Sequence, residues 1–223
     1  MIDSHAHYDN DRFDADRDAI LEEAFRSGVT HIVNPGCDLP SSLAAIAMAE
    51  RHSCLYAAVG FHPHEADKFV EGDLARLEAL CAHPKVVAVG EIGLDYHYDF
   101  SPRPVQQAVL RTHIALARRV GKPVILHDRE AHKDVLDIVR AEKAYEAGGV
   151  FHCWSGSRET AEEVLKMGFY IGIGGSVTFK NAHRLQDVAV HIPNDRLLIE
   201  TDCPYMTPEP FRGRRNWSGM MVH

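Results

Sequence analysis

The sequence predicts an α/β fold, a (β/α)8 TIM barrel whose eighth helix is missing or incomplete. Three observations carry that expectation. Short apolar, β-branched runs alternate with longer segments of helical period, the pattern of βα units laid around a parallel sheet. Eight such runs can be placed, and their starts lie roughly 20 to 35 residues apart, about one βα unit of a barrel. Polar residues of metal-ligating type recur where the runs end, and in a barrel all those ends open on one mouth.

In order, strands are expected at residues 1–7, 31–36, 55–61, 86–92, 123–127, 150–154, 169–174 and 197–202. The first helix covers residues 18–25, with Ile20, Leu21, Ala24 and Phe25 on one face and Gly28 as its stop. Another follows Ser157 as N-cap, carries Ala161, Val164 and Leu165 inward, and stops at Gly168. A doubly wound open sheet is the competing architecture. Its first βα turn would need glycines, and here that turn reads His5-Ala6-His7-Tyr8-Asp9-Asn10.

The chain has 223 residues, 45% of them hydrophobic and 25% charged, which suits one domain over residues 1–223. A net charge of −8 repels polyanions, so any nucleic-acid role must rest on a local site and not on a basic stripe. Five cysteines, Cys37, Cys54, Cys81, Cys153 and Cys203, form no Cys-x-x-Cys pair and are odd in number. They argue for a reducing, cytoplasmic setting. No secretory leader and no membrane-length apolar run is read in the chain.

Fifteen histidines are many for this length, and imidazole is well suited to metal binding and to proton transfer. His5 and His7 lie two apart, which on a strand points both rings to one side. Glu91 ends an apolar, glycine-flanked run, where a carboxylate is costly to bury unless paired or metal-bound. His127 and His152 end the fifth and sixth runs, and Glu200 and Asp202 the eighth. Together His5, His7, Glu91, His127, His152 and Asp202 are too many for one tetrahedral catalytic zinc. They fit two divalent metal ions about 3.5 to 4 Å apart with one carboxylate between them. The mixed nitrogen and oxygen set leaves Mg, Mn or Zn open.

The segments His5-Ala6-His7, Gly60-Phe61-His62-Pro63-His64, Gly90-Glu91-Ile92-Gly93-Leu94-Asp95-Tyr96, His127-Asp128-Arg129, Phe151-His152-Cys153-Trp154-Ser155-Gly156 and Glu200-Thr201-Asp202-Cys203-Pro204-Tyr205 occur in that order. In type and order they closely resemble the TatD family of metal-dependent deoxyribonucleases, over residues 1 to about 216. The resemblance implies a barrel of the amidohydrolase superfamily, a two-metal centre and hydrolysis of DNA phosphodiesters. It implies that His5, His7 and Asp202 hold one metal, His127 and His152 the other, and that Glu91 bridges them. Some relatives act on other ester-linked substrates, including misacylated transfer RNA.

Asp202 is the candidate general base, with a purely ligating role as its alternative. His62 is read as contacting phosphate or protonating the leaving group, and His64 as a substrate contact or a loop hydrogen bond. Arg129 is read as a bidentate phosphate clamp or one half of a salt bridge. Tyr96 and Trp154 are candidates for stacking on bases, with core packing the favoured role for Trp154. Glycines at Gly172, Gly174 and Gly175, and the cluster of Arg212, Arg214 and Arg215, are candidate phosphate contacts. Without a long basic stripe, an exonuclease acting on single-stranded ends fits better than an enzyme tracking a duplex.

After Asn216 the chain reads Trp217 to His223, where the resemblance implies a further helix. The expectation is a C-terminally truncated barrel with an apolar flank beside strands one and eight, covered in part by Trp217, Met220, Met221 and Val222. A monomer is expected, with association through that flank as the alternative. The competing functional readings are a hydrolase of a small-molecule or aminoacyl-tRNA ester, and an inactive metal-binding homologue.

Overall fold

The computed structural model describes all 223 residues. Its strands are β1 (Ile2–Asp3), β2 (His31–Pro35), β3 (Leu55–Val59), β4 (Val86–Asp95), β5 (Val124–Arg129), β6 (Gly149–Phe151), β7 (Tyr170–Ile173) and β8 (Leu197–Ile199). The helices between them are α1 (Arg17–Arg26), α2 (Leu39–Arg51), α3 (Glu71–Cys81), α4 (Arg103–Val120), α5 (His132–Ala141), α6 (Arg158–Lys166) and α7 (His183–His191). The strands form one parallel sheet in sequence order. The seam is closed between residues 4–7 and 199–203 by backbone bonds from Ser4 N to Ile199 O (3.2 Å), Asp202 N to His5 O (2.9 Å) and His7 N to Cys203 O (2.8 Å). The fold is the expected (β/α)8 barrel.

Local chemistry explains these elements and where they depart from expectation. The Ser157 hydroxyl accepts from Thr160 N at 3.2 Å and caps α6. Gly28 and Gly168 take positive φ, 93° and 88°, just beyond the ends of α1 and α6. The first strand is much shorter than residues 1–7, because the Asp3 carboxylate takes the amides of His5 (3.3 Å) and Thr201 (3.0 Å) that a regular ladder would use. The eighth ends at Ile199 for the same reason. The fourth runs on to Asp95, so Glu91 stands within it, where the register to β5 shifts between Val89 and Ile92.

Inside the barrel, Ala58, Ala88, Ile125 and Val150 pack with Val33, Tyr170 and Leu198, a plug under the mouth. Outside it, a larger cluster lies between strands and helices, with Leu110, Ile114 and Ala117 of α4 among its members.

No α-helix follows β8; residues 218–222 form a 3-10 helix. As expected, Trp217 and Met221 pack on the cluster of Tyr8, Phe13 and Leu21. Ser218 bonds to Tyr8 Oη (2.9 Å) and Asp3 Oδ2 (2.7 Å), and Asn216 Nδ2 donates to Thr201 O (2.9 Å). The cover is partial: Ile2 remains 54% exposed and Ile199 39%.

Candidate metal centre

The C-terminal ends of the strands bring all six expected residues together. His5 Nε2 and His7 Nε2 lie 3.0 Å apart. Glu91 Oε2 is 3.2 Å from the first and 3.5 Å from the second, and Asp202 Oδ1 is 3.8 and 3.6 Å from them. Four donor atoms thus converge on one point. Two ring nitrogens at that separation can share at most one proton, so the chemistry of the set calls for a cation between them. The other carboxylate oxygen of Glu91 faces a second group: His152 Nε2 at 2.7 Å, His127 Nδ1 at 2.9 Å and His62 Nε2 at 3.4 Å. The donor set fits divalent metal, and several His, Asp and Glu groupings here could hold an ion.

Each ligand-type side chain is held from behind. Asp202 lies in the left-handed region (φ 54°), which Asp tolerates and which turns its side chain away from the line of β8. His127 Nε2 is 3.0 Å from Asp95 Oδ2, which fixes the ring and leaves Nδ1 facing Glu91. His64 Nε2 reaches the same Asp95 oxygen at 2.9 Å. His152 Nδ1 lies 3.6 Å from Glu200 Oε1, and the His152 ring stacks on His5 with centroids 3.8 Å apart.

Burial works against the charge on Glu91, yet the rings of His152, His62 and His5 and the bond from His127 hold its carboxyl well below the usual carboxylate range. Burial likewise opposes charge on His152, but Glu91 and Glu200 overcome it and raise that imidazole well above its ordinary value. For His62 burial wins against Glu91 and pushes the ring down to about 3. With its Nδ1 accepting from His64 N at 3.2 Å, the His62 proton sits on Nε2, towards Glu91.

Above these residues the mouth opens as a cavity of about 1070 Å³, walled by His64, Tyr98, Phe100, Arg129, Trp154, Arg184 and Tyr205 among others. The profile of the family described as TatD related DNase matches residues 2–223. The chain belongs to the TatD family. The uncharacterized metal-dependent hydrolase YabD of Bacillus subtilis is 49% identical over 97% of this chain and 85% of its own. The protein named 3'-5' ssDNA/RNA exonuclease TatD in Enterobacter lignolyticus is 35% identical over 100% of this chain and 88% of its own. The crystal structure of YjjV, a TatD homologue from Escherichia coli, superposes with a TM-score of 0.94 at 36% identity, covering 100% of this chain and 86% of that one. This is therefore a TatD-type metal-dependent hydrolase.

Several expected substrate contacts lie outside the mouth or are engaged in packing within it. Tyr96 is not in the TatD mouth: its hydroxyl donates to Asp134 (2.8 Å), and Arg103 lies 4.2 Å over its ring. Trp154 is buried beside Phe151 and His132, as a packing residue is. Gly172 is needed for packing, since a Cβ there would come within 2.5 Å of Glu200 Oε2. A Cβ on Gly175 would come within 2.4 Å of Met206 O. The arginine cluster is dispersed, with Arg215 paired to Asp16 (2.6 Å) and Arg212 lying 3.7 Å over Phe179. Arg129 makes no ion pair and lies 5.0 Å over Tyr98.

Sequence reasoning missed Asp95 as the partner of two histidines, and Cys37, whose thiol groups with His7 and Glu91. It also missed Arg184, which lines the mouth from α7 and donates to Ser155 O at 2.8 Å. Gly-Leu-Asp95 stood inside a recognised motif and was the one available signal. No local pattern marks Cys37 or Arg184.

Proposed function

We propose that this chain is an exonuclease that hydrolyses phosphodiester bonds at the ends of single-stranded nucleic acid. One cation would be held by His5, His7 and Asp202, a second by His127 and His152, with Glu91 shared. The observation that carries this reading is that the two oxygens of Glu91 face separate donor groups on the floor of a cavity of about 1070 Å³, large enough for more than a single small ligand. The activity for which the Enterobacter relative is named supports the same substrate class.

Divalent cations bound there would polarise phosphoryl oxygens and lower the pKa of water. Asp202, partly open to the mouth, accepts the proton of the attacking water in this reading. His62 Nε2 donates a hydrogen bond to the substrate phosphate; the low proton affinity of that ring suits this better than protonating a leaving group. Arg129 and Arg184 supply positive charge at the rim of an otherwise acidic molecule.

The test is hydrolysis of end-labelled single-stranded DNA and RNA by metal-stripped protein, then with Mg, Mn or Zn restored, beside Glu91→Ala. Stepwise shortening that needs metal and is lost in the variant is the expected result. Metal binding without cleavage of either nucleic acid would overturn the proposal.

A further inference from the structure

We propose that Tyr98 and Phe100 form a stacking platform for one base of a single-stranded substrate, with Arg129 against the neighbouring phosphate; this rests on the nuclease reading above. Tyr98 is 49% exposed and Phe100 65%, although both are large rings lining the cavity that contains the metal-type ligands. Their rings stack, with centroids 5.3 Å apart and an interplanar angle of 22°, so Tyr98 backs Phe100, and Phe100, the more exposed of the two, presents the aromatic wall.

This wall is held in place. Asp95 Oδ1 accepts the amides of His97 (3.0 Å) and Tyr98 (2.8 Å). Ser101 Oγ donates to His64 O at 3.1 Å, Gln106 Nε2 donates to Ser101 O at 2.7 Å, and Arg103 grips Asp99. A loop fixed at so many points could have turned its rings inward, and it presents them to the cavity instead. Base stacking on exposed aromatic rings is the sequence-tolerant device by which proteins hold single strands.

The placement favours a base over a protein partner. The wall continues inward through the edge of His64, 5.4 Å from Tyr98 and 4.8 Å from Phe100, and Asp95 joins His64 to His127. Arg129, paired with no carboxylate, lies over the Tyr98 ring at 5.0 Å, so its charge stands beside the stack, where it would meet the phosphate next to a base stacked on Phe100. A base can reach this wall only when unstacked from a complement, which selects single strands or frayed ends.

The experiment measures kcat and KM of the metal-loaded protein on short single-stranded DNA, with one abasic residue moved stepwise from the cleaved end. The expected result is one position at which losing the base raises KM by roughly 5- to 100-fold. That penalty should collapse towards one in the Tyr98→Ala/Phe100→Ala double variant and be kept in Tyr98→Phe. Quenching of a 2-aminopurine placed at the same position should follow the same pattern. Because both side chains are exposed, an unchanged melting curve for the double variant verifies its fold. An abasic penalty that survives in the double variant overturns the platform while leaving the nuclease standing. Wild-type protein that neither binds nor cuts any strand removes both.

Discussion

On one side of the metal centre, Glu91 and His127 ride on β4 and β5, strands of ten and six residues whose pairing is interrupted only between Val89 and Ile92. On the other, His5, His7 and Asp202 follow strands of two and three residues, and the few backbone bonds there are supplemented by side chains. The buried Asp3 carboxylate takes Thr201 N (3.0 Å), a bond that a ladder would elsewhere supply, together with Thr201 Oγ1 (2.6 Å) and Ser218 Oγ (2.7 Å). The same geometry of ligands is thus reached by two constructions. The ladder side draws its order from paired main chain, with Gly90 and Gly93 where a Cβ would strike β5. The seam side draws it from a few named residues, one of them only five residues from the last.

The largest effect should come where both sides meet. Glu91→Ala is expected to lower hydrolysis by about three orders of magnitude or more, because it removes the one side chain that faces both donor groups. Metal content per chain, measured beside the rate, should fall too; full metal content would mean that the two groups do not depend on each other through Glu91. Next, Asp3→Ala attacks the seam alone. Taking the shared acceptor from Thr201 N, Thr201 Oγ1 and Ser218 Oγ in a buried place should cost about 3 to 5 kcal/mol in denaturant unfolding. A loss below about 1 kcal/mol would show the seam to be held by something other than this carboxylate.

The ladder side has its own weakness, which acid should expose. His113 of α4 is buried between Phe61 and Phe69, and burial pushes its imidazole down to about 4, against the bond to Val109 O. The folded ring is then neutral where the unfolded ring, near 6.5, takes up a proton, so its contribution is complete above pH 6.5 and is lost as pH falls to 4. That contribution is about 3 kcal/mol. His113→Leu should flatten stability against pH in this window, and an unchanged slope would assign the acid sensitivity to other groups. The smallest effect is expected from Asp95→Asn. Loss of the carboxylate behind His127 should weaken metal binding by about 10- to 100-fold. Titration should show the loss in one class of site only; equal weakening of every site would erase the distinction between the two sides.

The barrel was legible because period and spacing report where side chains lie, and six strand-end ligands in five places are hard to produce otherwise. The seam was not, because alternation of side chains says nothing of which amides pair: residues 1–7 read as a strand, and Asp3 withdraws the amide of His5 from it and that of Thr201 from across the seam. Asp95 was read as part of a motif, while its partners His64 and His127 lie 31 and 32 residues away and only the fold brings them near. Tyr96 and Tyr98 could not be told apart, since which ring faces the mouth depends on how the chain turns after β4. The glycines at 172 and 175 carry the same lesson: their small size admits Glu200 and the backbone of Met206, contacts without any sequence signature.

Asp95 gives one carboxylate two neighbours of different kinds, the loop amides on Oδ1 and the two imidazoles on Oδ2. A cation held at His127, as proposed above, would be linked to whatever rests on the loop through a single planar group. Linkage of this sort is reciprocal: by whatever factor a cation firms the loop for an incoming strand, the strand tightens the hold on the cation. With a cation bound there, releasing the product would also loosen the ion, and the free concentration of metal would set how often the cycle begins complete.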